Sequence, residues 1–159
     1  TRLSRHYLLL FQDSQRYSEN AMPLNQLRDA ALANFESREE MREWLSHTVG
    51  SNLQIVDAAS KHAVKAIRLN PLQFHPYLDL SELAFLRGAN ESFEERCLAQ
   101  GLAVAPYDGQ VLYLAGRDAW LHSDTEKAFD LWKRAFHQFL ENKAKQFLIS
   151  LKNRLAGSF

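Results

Sequence analysis

The chain has 159 residues, which is enough for one domain or two small ones, with a hydrophobic core that does not depend on disulfide bonds. Its hydrophobic fraction of 46% excludes wholesale disorder, and its 19 basic and 19 acidic residues leave no charge excess that would point to nucleic acid. Leu and Ala supply 44 residues whereas Val, Ile and Thr supply 11, so the composition predicts an all-α fold.

Two amphipathic helices are expected in the first 36 residues. An apolar stripe that includes Leu3 and Tyr7 has helical spacing and is interrupted at Asn20–Pro23. A second stripe begins at Leu24 and ends at Phe35, with the proline in position for a first helical turn. Residues 1–36 are therefore interpreted as an N-terminal helical cap.

Residues 37–71 contain local signals for helix ends. Ser37 and Glu40 form a capping-box pattern, because the Ser hydroxyl can accept a hydrogen bond from a first-turn amide. Gly50 marks a break, and a further helix ends before Pro71, which disfavours helical geometry in the preceding residue. Whether this segment forms a hairpin or one long helix is left open.

A two-helix pattern then repeats along the chain. Pro71 and Pro106 stand 35 residues apart, and each ends one helical pattern and precedes a pair of helices. The turns within these pairs are expected near Gly88 and Ser123. A two-helix unit at this period is typical of helical-repeat proteins, in which hairpins stack because a single hairpin cannot bury its apolar face alone.

Large and small apolar side chains alternate within residues 109–136, with Leu112, Ala115, Gly116 and Ala119 in the first helix and Ala128, Trp132 and Ala135 in the second. This spacing resembles that of the tetratricopeptide repeat family. Residues 74–106 match this pattern less fully, and residues 38–71 match it in their second helix alone.

The resemblance implies a right-handed array of antiparallel helix hairpins, a TPR-like α-solenoid with capping helices at both ends, in a single domain spanning residues 1–159. Its parts in chain order are the N-terminal cap 1–36, a degenerate repeat 37–71, the repeats 72–106 and 107–141, and a C-terminal capping helix 142–159.

Residue types that commonly carry catalysis form no recognisable motif in this sequence. The six histidines are scattered and show no metal-binding spacing, and no nucleotide-binding loop or nucleophile elbow is present. Cys97 has acidic neighbours that raise a thiol pKa, and it is interpreted as a buried structural residue. The sequence predicts no catalytic residue, metal or cofactor, and no apolar run in this chain reaches the ~20 residues that span a bilayer.

The resemblance also implies a binding groove, because the first helix of each repeat in that family lines a concave face that binds peptides or partner helices. Carried over residue by residue, the lining side chains are His75, Leu78, Glu82 and Phe85 in one repeat and Gln110, Tyr113, Arg117 and Trp120 in the next. Leu78 and Glu82 stand where some relatives place Lys and Asn to clamp a C-terminal carboxylate, which argues against such a clamp.

These features predict a non-catalytic interaction or scaffold domain that binds a protein or peptide partner. One alternative is a TPR-like domain of a larger, membrane-embedded envelope enzyme of the O-antigen polymerase or ligase type, to which such arrays are appended. A second alternative is a small enzyme that uses a groove histidine and a carboxylate, although no catalytic motif supports it. Pairing of two copies through the ends of the array is left open, and no compartment is assigned.

Overall fold

The computed structural model describes residues 2–17, 22–35, 37–88 and 91–156, and the described residues form helices without any strand. The helices are α1 (Arg2–Arg16), α2 (Leu24–Asn34), α3 (Arg38–Val49), α4 (Leu53–Leu69), α5 (His75–Leu83), α6 (Glu91–Val104), α7 (Gly109–Leu121) and α8 (Thr125–Ala156). The all-α fold expected from composition is confirmed. No helix among the described residues has the length and apolar character needed to cross a membrane.

Local signals in the sequence place several helix ends correctly. Ser37 Oγ accepts a hydrogen bond from the Glu40 amide (3.1 Å) at the start of α3. Gly50 follows α3 with a φ of +56°, in the left-handed region that glycine tolerates without steric cost. The helix α4 ends shortly before Pro71, as expected. The expected break at Asn20–Ala21 lies outside the described residues.

The chain divides into two compact units, residues 1–104 and residues 105–159, which we call unit 1 and unit 2. In unit 1, α4 packs mainly against α1 and α5, and α5 packs against α6. Leu8 and Phe11 of α1 are fully buried in one core with Val56 of α4. Because the start of α1 lines a pocket with the loop that follows α4, these two helices run antiparallel.

The partner of α4 differs from the one that the sequence interpretation implies. Residues 37–71 form two helices, α3 and α4, separated by a 3-10 turn at Gly50–Asn52, so this segment is not one long helix. However, α4 packs most extensively against α1, which belongs to the expected N-terminal cap. The small residue Ala59 on α4 allows this close approach, while Leu45 and Val49 bring α3 into the same core.

A second apolar cluster joins α4, α5 and α6. Ala63, Leu80 and Cys97 are buried together there. Burial raises the pKa of the Cys97 thiol to about 11, so the thiol stays protonated at neutral pH. The expectation of a buried structural cysteine is therefore confirmed. Arg28 of α2 forms a buried ion pair with Glu94 of α6, which ties α2 to this side of the unit.

Unit 2 is a hairpin of α7 and α8 in which small residues allow close helix packing. Ala128 of α8 is fully buried, and the Trp132 ring lies against Gly116 of α7. Trp132 Nε1 also donates a hydrogen bond to the Tyr113 carbonyl oxygen (3.1 Å). Trp132 therefore packs against α7, and Ser123 lies in the turn, as expected, with a φ of +62°.

The helix α8 has 32 residues and runs without interruption. The sequence interpretation ends a repeat at residue 141 and begins a separate capping helix at 142–159, whereas the structure has no break there among the residues it describes. The physical reason is that residues 125–156 contain no glycine or proline to end a helix. Residues 157–159 lie outside the described part of the chain.

Candidate functional site

The part of the expected groove that lies on α5 and on the 3-10 turn after it (Phe85–Arg87) is mostly covered. Leu78 is 1% exposed, and Phe85 is 5% exposed and packs in the core with α1. Glu82 is half-buried and accepts a hydrogen bond from Arg5 of α1 (3.4 Å), whereas His75 is exposed. Leu78 and Phe85 therefore serve packing, because α1 lies against the helix that was expected to line an open face.

Asp79 is the buried polar centre of this contact between α1 and α5. Its carboxylate accepts hydrogen bonds from Ser4 Oγ (2.7 Å) and from Arg5 (3.4 Å). Burial nevertheless raises the pKa of Asp79, although Ser4 and Arg5 both favour the charged form and lower it. Sequence reasoning missed this network, because no local pattern connects an acidic residue with partners far earlier in the chain.

A pocket of about 670 Å³ opens beside this network, between the start of α1 and the loop before α5. Arg2, Arg5, His6 and His75 contribute its cationic or titratable groups, and apolar side chains such as Phe74 complete its wall. The His75 ring stacks on Phe74 with centroids 4.0 Å apart. Such a lining suits an anionic group attached to an apolar body. However, Arg5 already forms ion pairs with Asp79 and Glu82, so part of the positive charge of the pocket is neutralised.

The part of the expected groove that lies on α7 presents exposed side chains. Tyr113 and Trp120 are 54% and 48% exposed, Gln110 is exposed, and Arg117 is half-buried. Their spacing of three, four and three residues places all four on one face of the helix. This half of the sequence prediction identifies a surface that a partner can reach.

Two aromatic residues of α8 extend that surface. Phe129 is 62% exposed, and its ring lies edge-on to Trp120 (centroids 6.1 Å apart) and to Trp132 (5.9 Å). Trp120 and Trp132 lie 5.9 Å apart with tilted planes, so the three rings contact one another in pairs. We call Tyr113, Trp120, Phe129 and Trp132 the aromatic surface.

The aromatic surface was only partly visible in the sequence. In the sequence, Trp132 is part of the tetratricopeptide-like pattern and Tyr113 and Trp120 belong to the expected groove, whereas Phe129 belongs to neither. The available signal was that Phe129 and Phe136 stand seven residues apart, on one face of a helix, and both are exposed. Among the described residues, no group of three or more His, Cys, Asp or Glu side chains is arranged to hold a metal ion.

Comparison of the chain with family models, with curated proteins and with solved structures finds no match in any of the three.

Proposed function

We propose that the chain is a non-catalytic interaction module of tetratricopeptide-like helix hairpins, and that it binds a protein or peptide partner through the aromatic surface of unit 2. The observation that carries this proposal is the cluster of Trp120, Phe129 and Trp132 at the surface of a hairpin whose core is already filled. Exposed apolar clusters of this kind usually mark sites of association, because their hydration costs free energy that a partner recovers.

The residue types on this face suit protein recognition. Trp, Tyr and Arg carry most of the binding energy at protein interfaces, because they bury a large area while losing few rotamers. Tyr113 and Trp120 provide two such anchors, and Arg117 lies between them on the same face. The hydrogen bond from Trp132 to the Tyr113 carbonyl holds one ring of the surface in place, which reduces the entropy that binding would cost.

The helix pairings support a repeat register different from the one read in the sequence. In this register α1 pairs with α4, α5 pairs with α6 and α7 pairs with α8, while α2 and α3 form an insertion within the first pair. The packing of α1 on α4 and on α5 fits such an arrangement, since first helices of successive repeats contact one another in this family. Small residues at each contact, Ala59 and Gly116 among them, permit the close approach.

A comparison of two double variants tests the proposed surface. Trp120→Ala with Phe129→Ala removes two rings of the aromatic surface, and Leu72→Ala with Tyr107→Ala removes two exposed apolar side chains elsewhere. Each protein is used as bait, and retained proteins are measured by quantitative mass spectrometry after circular dichroism has shown equal helicity. We expect the parent chain and the control double variant to retain the same partners. The Trp120→Ala, Phe129→Ala variant should retain at least about tenfold less of them.

Equal retention by the two double variants would contradict the proposal. Tyr113→Ala provides a milder second test, because its exposed ring makes little contribution to the core. A loss of the same partners with Tyr113→Ala, without a change in thermal unfolding, would separate binding from stability.

A further inference from the structure

A groove in unit 1 is lined by cations. Lys61, Lys65 and Arg68 lie on one face of α4 at spacings of four and three residues, and Arg87 approaches from the turn after α5. The groove has a volume of about 790 Å³ and is open to solvent. Among the described residues, its charged lining has the carboxylate of Asp57 against four basic side chains, which leaves a clear excess of positive charge.

The Asp57 carboxylate of the groove already forms an ion pair. Asp57 pairs with Arg87 at 3.5 Å, and neither Lys61, Lys65 nor Arg68 forms an ion pair with a carboxylate among the residues that the structure describes. Exposed lysines on a helix are usually just solvated. In a groove, however, low-dielectric walls concentrate the field of several like charges and raise the local concentration of anions.

The floor of the groove supplies a second, independent observation. Ser60 is one of the residues that line the groove and is 1% exposed, and its buried Oγ has no hydrogen-bond partner among the described residues. A buried hydroxyl without a partner is unfavourable, whereas a bound group that accepts its hydrogen bond removes this cost. The groove therefore combines unpaired cations at its rim with an unused donor at its base, which is the chemistry of a site for an anionic acceptor.

We propose that this groove binds an extended acidic segment of a protein partner, with its carboxylates against Lys61, Lys65 and Arg68 and one acceptor at Ser60. The cations form a row about 10 Å long along the helix axis, at successive rises of about 6 and 4.5 Å. In an extended peptide, side chains on one face are about 6.6 Å apart, so alternate acidic residues match this row. This surface lies in unit 1 and is independent of the aromatic surface.

The test uses a fluorescein-labelled peptide of about ten residues in which Glu alternates with Ser, followed by fluorescence anisotropy. The parent chain should bind this peptide more tightly at low than at physiological ionic strength. Lys61→Gln, Lys65→Gln, Arg68→Gln should weaken binding by at least about tenfold. The matched control, Arg38→Gln, Lys127→Gln, Lys133→Gln, removes the same charge from exposed positions outside the groove and should retain the affinity.

Ser60→Ala tests the floor separately. It should weaken peptide binding about threefold without lowering stability, because the hydroxyl has no partner in the free protein to lose. An unchanged affinity would remove Ser60 from the site.

Three results would overturn the proposal. They are no binding of the peptide by the parent chain, equal losses in the two triple variants, and tighter groove-dependent binding of single-stranded RNA or anionic vesicles than of the peptide. The last result would assign the groove to another class of partner.

Discussion

The fold buries the carboxylate of Asp79, and the hydrogen bonds that it accepts offset only part of the free-energy cost of its burial. Ser4 and Arg5 donate to it, but removal from water outweighs these contacts and raises its pKa above the usual range. The protonated form is therefore favoured more in the folded chain than in the unfolded chain. A group of this kind contributes stability at acidic pH and loses that contribution as pH rises.

We expect the raised pKa of Asp79 to be detectable in the pH dependence of the free energy of unfolding. The contribution of Asp79 should be fully present below its unfolded pKa of about 3.9 and should be lost as pH rises through the raised folded pKa. Asp79→Asn cannot ionise, so its free energy of unfolding relative to the parent should improve over this interval. Urea denaturation of both proteins at several pH values measures the difference.

The control for this measurement is Asp13→Asn, which removes an exposed carboxylate on α1. A difference between Asp79→Asn and the parent that stays constant with pH would show that Ser4 and Arg5 offset the cost of burial, and one that moves in the opposite direction would show that they outweigh it; either result contradicts the raised pKa.

At the scale of helix pairs, the contact between α7 and α8 depends on the absence of a side chain at Gly116. An added Cβ there would lie 2.6 Å from the Trp132 ring, whereas at Gly109 the nearest atom would be 3.6 Å away. Gly116→Ala should therefore destabilise unit 2 by about 1–3 kcal/mol, because the ring must shift. Gly109→Ala should be neutral or slightly stabilising, since alanine favours helix.

Thermal and urea unfolding of the two alanine variants provide the comparison. If Gly116→Ala proves as stable as Gly109→Ala, the Trp132 ring does not rest on α7 as described.

Helix ends were predictable from the sequence, whereas helix partners were not. Ser37, Gly50 and Pro71 act on their own neighbours, so a local pattern is enough to locate the ends that they set. The length of α8 was missed because an expected family boundary at residue 141 took precedence over the absence of any local stop signal. The α7 residues of the expected groove came from the family resemblance and are exposed or half-buried, whereas the burial of Leu78 and Phe85 depends on tertiary packing that the resemblance does not include.

At the scale of the whole molecule, the packing of α1 determines how unit 1 is built. This helix was expected to cap the domain, but Leu8 and Phe11 lie in the main core and Arg5 reaches α5. The sequence alone does not indicate which distant helix packs against this apolar stripe, because several helices have apolar faces that could do so. Contacts of this range are the part of a fold that a reading of one sequence resolves least.

Phe11→Ala tests whether α1 is structural to unit 1. Because Phe11 is fully buried, the substitution should cost about 3–5 kcal/mol, enough to unfold much of a marginally stable unit. Leu10→Ala changes a neighbouring residue that is about half exposed and should cost little. Urea denaturation followed by circular dichroism measures the stability of both variants. Similar midpoints would indicate that α1 is a peripheral cap and not part of the core of unit 1.

The pairing of α1 with α4 also affects when α1 can pack during synthesis. The apolar face of α1 emerges from the ribosome before α2 and α3, and its partners α4 and α5 are made later still. Until then Leu8 and Phe11 lack the part of their core that α4 and α5 supply, and exposed apolar segments of nascent chains are prone to aggregation and to capture by chaperones. Within unit 1, α1 thus precedes α2 to α6 in translation but can complete its packing only after α4 and α5 have been made.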